Sequence, residues 1–381
     1  MNVLIIVNTY SQLIISLQIK RKIYFNDNVS LIVTDFTEKA EDLAYKISNL
    51  KIFDTVHYIA VRNLCGEPEK VIGKIISFKK LILGDKIFDE IASNKWDILL
   101  FYNRDTVTNT LYSSLIRYNF EIRLMMFEEG ILSYASKLTN RRILMADKLR
   151  RILNIPQMDK RTEMFYCFYP SIYHGNLKPL QIPCIDPKDK EFREILQMIF
   201  TVDIDKISLN YNYKYVFFSG MYDFEGGNSI GELNLIRQIS NLVGNENLVI
   251  KVHPRDSIDR YKKAGLNVAE SSNLPWEVIQ LNCNLTNCVF LTVISGSVFM
   301  PNLIVNNPIK TILLYNLCNI EGNYAAKKNI EVVSEIMSSF QLDKMKWLKI
   351  AKQSIDEIEL ENENLNSIES NNQFYDERVY E

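Results

Sequence analysis

The chain of 381 residues lacks several features that identify other classes of protein. Its formal net charge is −2, so no global positive field indicates nucleic-acid binding. No run of about 18 apolar residues occurs, which argues against a membrane span. The six cysteines form no CxxC pair, so zinc-site spacing is absent. The start of the sequence lacks the basic lead and cleavage site of a signal peptide, and we expect a cytoplasmic protein with buried, reduced thiols.

Predicted strands and helices alternate along the chain. Val3–Val7 is wholly apolar and is followed by polar residues, which is typical of a central parallel strand that ends at a loop. Further strands are predicted at Val29–Val33, Ile52–Tyr58, Ile98–Tyr102, Ile122–Phe127, Tyr215–Phe218, Leu248–Val252, Val289–Ile294 and Thr311–Tyr315. Helical spacing predicts helices at Ser11–Lys22, Glu38–Leu50, Asp105–Tyr118, Thr139–Ile155, Phe192–Phe200, Ile230–Leu242, Val332–Ser339 and Lys344–Ile358. This alternation predicts an α/β fold with doubly wound parallel sheets.

The length predicts two domains. The stretch Pro156–Pro187 carries several prolines that interrupt regular structure, and we place the boundary at its end. We therefore predict an N-terminal Rossmann-like domain at residues 1–187, a second one at 188–360, and a flexible acidic tail at 361–381. Two such domains facing a central cleft form the GT-B arrangement, in which ligands gather at the carboxyl ends of the strands.

Two adjacent carboxylates, Glu128 and Glu129, follow an apolar strand and precede Gly130. A neighbouring like charge or partial burial raises a carboxyl pKa toward neutral pH, which suits a general base. The alternative is a solvated loop that ends in a glycine turn.

A histidine, one of only three in the chain, also ends a predicted strand. His253 lies between Lys251 and Pro254-Arg255, and the proline keeps the histidine backbone extended at the tip of the strand. An imidazole in that position can donate a hydrogen bond or a proton to a leaving phosphate. The alternative is a structural histidine.

Three further segments could bind a nucleotide. Glu277 opens a predicted helix after Pro275, where a carboxylate can accept ribose hydroxyls or simply favour the helix N-terminus. Ser295-Gly296-Ser297 follows a strand, and Ser219-Gly220 forms a similar turn. Such turns offer backbone N–H groups and hydroxyls to a phosphate, although they are also common without a ligand.

The order of these motifs resembles that of the bacterial sialyltransferases and polysialyltransferases of capsule and lipooligosaccharide synthesis. Those families share an acidic-acidic-Gly motif, a His-Pro motif and a Ser motif. The N-terminal segment Asn8–Leu13 is also similar to the opening of several such enzymes. The Ser motif of this chain departs from the family pattern because Gly296 interrupts it.

The resemblance implies a role for each matching residue. Either Glu129 or Glu128 would deprotonate the acceptor hydroxyl, and His253 would assist the departure of CMP. Glu277 would hold the ribose, and Ser295 with Ser297 would hold the phosphate. From their positions at strand ends we further predict donor contacts for Ser219, Gly220, Pro254, Arg255 and Gly296, and acceptor contacts for Asn8, Thr9 and Gln12. The implied reaction is an inverting, metal-independent transfer of sialic acid from CMP-sialic acid to a surface glycan, with no further cofactor.

A metal-dependent transferase would need an Asp-x-Asp at the end of a strand. Asp203-Ile204-Asp205 has that spacing but follows no apolar strand, so we predict a surface loop there. Three alternatives stay open: a GT-B transferase that uses a UDP-hexose or UDP-galactofuranose, a nucleotide-sugar epimerase, and a non-catalytic glycan-binding protein. The sequence leaves the oligomeric state undetermined.

The predicted helix around Arg141–Arg151 is rich in basic residues. A solvated amphipathic face is the favoured interpretation. The alternative is peripheral contact with anionic lipid at the inner face of the cell membrane, or with an acidic glycan acceptor.

Overall fold

The computed structural model describes residues 1–37, 39–65, 71–134, 141–220, 229–253, 256–270, 274–285, 287–305, 308–318, 320, 324–339 and 347–358. The chain divides into two compact units, the first at Met1–Val202 and the second beginning at Asp203. The predicted tail at 361–381 lies outside the described residues.

A seven-stranded parallel sheet forms the centre of the first unit. Its strands are β1 (Asn2–Val7), β2 (Asn28–Thr34), β3 (Thr55–Ile59), β4 (Ile98–Phe101), β5 (Arg123–Phe127), β6 (Thr162–Cys167) and β7 (Lys178–Gln181). Their order in the sheet is β3-β2-β1-β4-β5-β6-β7. All four residues of the central strand β4 are apolar and buried, as expected where helices cover both faces of a doubly wound sheet.

The helices of the first unit lie between these strands. They are α1 (Tyr10–Lys22), α2 (Ala40–Asn49), α3 (Arg62–Cys65), α4 (Val71–Leu83), α5 (Asp89–Ala92), α6 (Thr106–Leu115), α7 (Arg141–Ile152), α8 (Met158–Arg161) and α9 (Lys190–Phe200). Polar side chains cap several of them: Thr9 accepts from a first-turn N–H of α1, and Asp105 does the same for α6.

The boundary between the units lies after Val202, whereas the sequence predicted it after Pro187. The helix α9 belongs to the first unit because both of its ends are held there. Arg21 on α1 forms an ion pair with the N-cap residue Asp189 (2.9 Å), and the ring of Phe200 packs edge-on against Tyr10 (5.3 Å between centroids).

The strands β6 and β7 were not predicted, because their segment is rich in proline. Pro179 lies within β7, which is the last strand at one edge of the sheet. An edge strand tolerates a proline because one side of its backbone forms no ladder hydrogen bonds. Pro179 therefore lies in an edge strand, while the other prolines of the segment lie outside the strands as expected.

The second unit contains a five-stranded parallel sheet. Its strands are β8 (Tyr215–Phe218), β9 (Leu248–Lys251), β10 (Val289–Thr292), β11 (Thr311–Leu313) and β12 (Leu348–Ile350), in the order β12-β11-β10-β8-β9. The helix predicted at Lys344–Ile358 is wrong, because Leu348–Ile350 pairs with β11 as a strand. Pairing with an existing sheet edge outweighs the local helical spacing of a short segment.

The helices of the second unit are α10 (Ile204–Asn210), α11 (Ser229–Val243), α12 (Ile258–Lys263), α13 (Trp276–Asn282), α14 (Gly296–Ile304) and α15 (Tyr324–Ser339). The surface loop predicted at Asp203-Ile204-Asp205 is instead the start of α10, where the Asp203 carboxylate caps the helix by accepting from the N–H of Lys206. Among the described residues, no group of three or more His, Cys, Asp or Glu side chains could hold a metal ion.

The described helices also include none that is long and apolar enough to cross a bilayer. The five cysteines whose side chains the structure describes form no disulfide. Three of them, Cys167, Cys288 and Cys318, are buried as expected, while Cys184 and Cys283 are only half-buried.

Candidate active site

The strand order of the first unit reverses at β1, which pairs with β2 on one side and with β4 on the other. In open α/β sheets, ligands bind outside the carboxyl ends of the strands at such a switch point. Asn8 and Thr9 follow β1, Asp105 follows β4, and Glu128 and Glu129 follow the next strand, β5. These polar residues therefore gather at one edge of the first sheet.

Glu129 is held by side chains from the start of α1. Its Oε1 accepts hydrogen bonds from Thr9 Oγ1 (2.7 Å) and Gln12 Nε2 (2.6 Å). Its backbone N–H donates to Ser133 Oγ (3.0 Å), which fixes the turn after β5. Burial raises the pKa of Glu129, as does the nearby charge of Asp105, while the two side-chain donors lower it. The result is an oriented carboxylate with a raised pKa, as a general base requires.

Glu128 faces different surroundings. It is fully buried, and its Oε2 accepts from the hydroxyl of Tyr134 and from the N–H of Phe168 (2.9 Å). Its other oxygen, Oε1, has no hydrogen-bond partner among the described residues. Burial raises the pKa of Glu128 to about 8. This carboxyl joins the ends of β5 and β6, and it is not accessible to a substrate.

The predicted acceptor-binding residues make contacts within the protein. Gln12 is fully buried, and its Oε1 accepts from the N–H of Asn8 (2.6 Å). The Asn8 side chain donates to Asp105 Oδ2 (3.0 Å) and accepts from Thr34 Oγ1 (2.7 Å). These side chains orient the carboxylates, and direct contact with an acceptor stays a prediction.

Two members of the first-unit site were missed by the sequence analysis. Asp105 was treated only as the start of a helix, yet burial raises its pKa and its charge acts on Glu129. Tyr102 follows β4, and burial together with the charges of Glu129 and Asp105 raises the pKa of its phenol. The signal that could have found them is their position directly after the apolar strand β4.

The strand order of the second unit reverses at β8, which pairs with β9 and β10. Ser219 follows β8, and its Oγ accepts from the backbone N–H of His253, which follows β9 (2.9 Å). The hydroxyl of Ser219 thereby fixes the backbone of the half-buried His253. Pro254 and Arg255, predicted to bind the donor, lie outside the described residues.

Glu232 on α11 is a further residue that the sequence analysis missed. It is fully buried, and its Oε1 accepts from the N–H of Gly220 (2.8 Å). Its Oε2 lies 3.6 Å from Arg260 on α12. Burial raises the pKa of Glu232 to about 8. Because Glu232 takes the Gly220 N–H, this group is occupied and cannot serve as the phosphate donor that the Ser219-Gly220 turn suggested.

The turn after β10 is open. Ser295 Oγ accepts from the N–H of Ser297 (3.3 Å), which lies in the first turn of α14. A Cβ atom placed on Gly296 would meet no atom within 4 Å, and Ser297 is exposed. An anion can therefore approach the N-terminus of α14.

Glu277 lies in the first turn of α13 and is only 6% exposed. The buried side chain of Lys251, at the end of β9, has its pKa lowered to about 8 by burial, while the charge of Glu277 acts in the opposite direction. The charge of Glu277 thus favours the charged form of the buried Lys251. Its contact with a ribose stays a prediction.

No protein-family model and no curated protein sequence matches the chain. The chain is similar in structure to an α/β-galactoside α-2,3-sialyltransferase of the luminous marine bacterium Photobacterium phosphoreum, with a TM-score of 0.51 and 11% identity over 92% of this chain and 98% of that one. Weaker likenesses include MurG of Acinetobacter baumannii (TM-score 0.45, 9% identity, 96% and 90% covered). Another is UDP-GlcNAc 2-epimerase of Methanocaldococcus jannaschii (TM-score 0.47, 15% identity, 88% and 92% covered). The sialyltransferase likeness concerns the fold, and the predicted GT-B class with two Rossmann-like domains is confirmed.

Proposed function

We propose that the chain is an inverting glycosyltransferase that transfers sialic acid from CMP-sialic acid to a glycan of the bacterial capsule or lipooligosaccharide. The observation that carries this proposal is Glu129, whose carboxylate is oriented by Thr9 and Gln12 at the switch point of the first sheet. The order of the sequence motifs and the fold shared with a Photobacterium sialyltransferase support the choice of sugar. The proposed setting is the cytoplasm.

In the proposed reaction, Glu129 removes the proton of an acceptor hydroxyl. The oxygen then forms a bond to the anomeric carbon from the side opposite the phosphate, and the bond between that carbon and the phosphate oxygen breaks. The electron pair leaves with CMP, and the configuration inverts. A positioned base contributes roughly 10²–10⁴-fold to such a step.

The second unit would bind the leaving CMP. His253, the hydroxyls of Ser295 and Ser297 and the N-terminus of α14 supply donors for a phosphate. Because these groups can stabilise the developing negative charge themselves, we propose that the transfer needs no metal ion. The free space around Gly296, where a Cβ atom would meet no atom within 4 Å, supports an approach of the phosphate to this turn.

The test is a panel of nucleotide sugars with and without EDTA, with release of free nucleotide as the readout. We expect release from CMP-sialic acid only, dependent on an added glycan acceptor and unchanged by EDTA. CMP, and not UDP, should also raise the melting temperature, since a ligand at 100 times its Kd stabilises by about 2.7 kcal/mol. Turnover of a UDP-sugar alone would establish the alternative transferase, and conversion of the sugar without an acceptor would establish an epimerase.

A further inference from the structure

The outward face of α7 is unusual for a helix that faces water. Leu144, Met145 and Ile152 are 46%, 61% and 75% exposed, and the exposed side chains of Lys148 and Arg151 lie between them. The other four residues follow Leu144 by one, four, seven and eight positions, and this spacing places all five on one side of the helix. A solvated helix carries polar residues on that side, so this face differs from the favoured interpretation of the sequence.

The neighbouring helix α4 repeats the pattern. Ile75, Ile76 and Leu83 are exposed on one side of α4, with exposed Lys79 between them. The inner sides of the two helices pack together in a buried cluster of Leu81, Ile82 and Ala146, with Phe78, Leu149 and Ile155 against it. Of the 19 large apolar side chains exposed in the described residues, seven lie on α4, on α7 or directly after α7. This concentration marks a patch and not scattered exposure.

The charge of this surface, which we call the α4/α7 face, is of one sign. The sequence of α4 contains no acidic residue, and α7 contains only Asp147. Asp147 is buried and forms ion pairs with Arg104 and with Arg150 (3.1 Å). The exposed side chains that the structure describes on α4 and α7 are therefore basic or apolar, although the chain as a whole has a net charge of −2.

We infer that the α4/α7 face binds the surface of an anionic lipid bilayer. Basic side chains attract the headgroups, and apolar side chains between them enter the boundary with the acyl chains. The buried Asp147 links α7 to Arg104, which lies in the loop after β4, so α7 lies near the edge of the sheet that carries Glu129. Binding to a bilayer through this face would bring a membrane-attached acceptor toward Glu129. Only this consequence rests on the proposed function.

The experiment is co-sedimentation of the full chain with vesicles of phosphatidylcholine alone or with about one third phosphatidylglycerol. We expect binding to the anionic vesicles that weakens at high salt. Lys148→Gln with Arg151→Gln should weaken it roughly thirtyfold, about fivefold for each basic residue lost. Met145→Ser with Ile152→Ser should weaken it about tenfold. The matched control, Leu209→Ser with Ile230→Ser, removes side chains that are 76% and 71% exposed in the second unit and should change nothing.

All variants change exposed side chains, so their melting temperatures and their nucleotide release with a soluble acceptor should equal those of the wild type. Absence of wild-type binding to anionic vesicles would overturn the inference. So would equal losses in the face variants and the control. A dimer in light scattering that the face variants convert to a monomer would also overturn it, because a second copy of the chain would then cover the face.

Discussion

At the scale of single residues, the two carboxylates after β5 differ in what surrounds them. Glu129 is held from one side by Thr9 and Gln12, whereas Glu128 is enclosed and bonded to Tyr134 and Phe168. The first arrangement suits proton transfer to and from a substrate, and the second joins two strand ends. The sequence alone does not distinguish these neighbours, and their environments favour Glu129 as the base of the proposed transfer.

Glu129→Gln should therefore lower kcat/KM for nucleotide release by about 10²–10⁴-fold, because an amide cannot accept the proton. Glu128→Gln is its matched control. The amide oxygen can accept from both Tyr134 and Phe168, so activity should stay within a few-fold of the wild type. Steady-state kinetics at saturating donor distinguish the two variants. Wild-type activity in the Glu129→Gln protein would contradict the assignment of Glu129 as the base.

Glu128 should also make stability depend on pH. Its folded-state pKa of about 8 lies above the unfolded value near 4.3, so its stabilising effect is complete below about pH 4.3 and is lost as the pH rises through 8. Glu128→Gln removes this dependence. In urea titrations between pH 5 and 8, the free energy of unfolding of the variant should rise relative to that of the wild type by up to about 1.4 kcal/mol per pH unit. A difference that stays constant with pH would contradict the assignment.

Residues that act only through neighbours distant in sequence could not be predicted. Glu232 is an unremarked glutamate within an amphipathic helix, and its bond to Gly220 depends on how α11 packs beside β8. Asp105 and Tyr102 differ from Glu232, because their position after the apolar strand β4 was a signal in the sequence, but their electrostatic effect on Glu129 acts across more than twenty residues. Glu128 and Glu129 were predictable because an apolar strand directly precedes them.

At the scale of elements, strands with a clear local sequence pattern were predicted, and strands that depend on a distant neighbour were missed. The strands β1, β2 and β8 were predicted to within one residue at each end, since all their positions after the first residue of β1 and β2 are buried and most of them are apolar. The strands β7 and β12 lie at sheet edges and are three or four residues long, so their sequences carry little periodicity. Their strand form depends on pairing with a neighbour that is distant in sequence.

The first turn of α1 provides a test at this scale. The hydrogen bond from Gln12 lowers the pKa of Glu129, so Gln12→Leu should raise that pKa. Because the base must be deprotonated, the acidic limb of the profile of kcat/KM against pH should move to higher pH. Gln18→Leu is the matched control. Gln18 is a buried glutamine of the same helix that donates to Pro183 and Cys184 instead, so this variant should lose stability without moving the limb. Equal profiles for both variants would contradict the role of Gln12.

At the scale of the whole molecule, both sheets carry polar residues at the point where the strand order reverses. In the first unit these residues orient carboxylates, and in the second they form turns with hydroxyls and a histidine. This division matches a base on one unit and anion recognition on the other. The general rule for α/β sheets predicted both edges from sequence, because it needs only the ends of apolar strands.

The boundary between the units was predicted fifteen residues too early, and it provides the last test. The prolines of Pro156–Pro187 predicted a boundary after residue 187. However, α9 follows that position, belongs to the first unit, and has Phe192, Leu196 and Ile199 buried completely or nearly so. Burial of three such side chains contributes roughly 5 kcal/mol, which is comparable to the stability of a whole domain.

A fragment of residues 1–202 should therefore unfold cooperatively, whereas residues 1–187 should aggregate or melt at much lower temperature. Circular dichroism melts of both fragments check this. Equal melting temperatures would show that α9 does not complete the first unit, and the boundary at 187 would be restored.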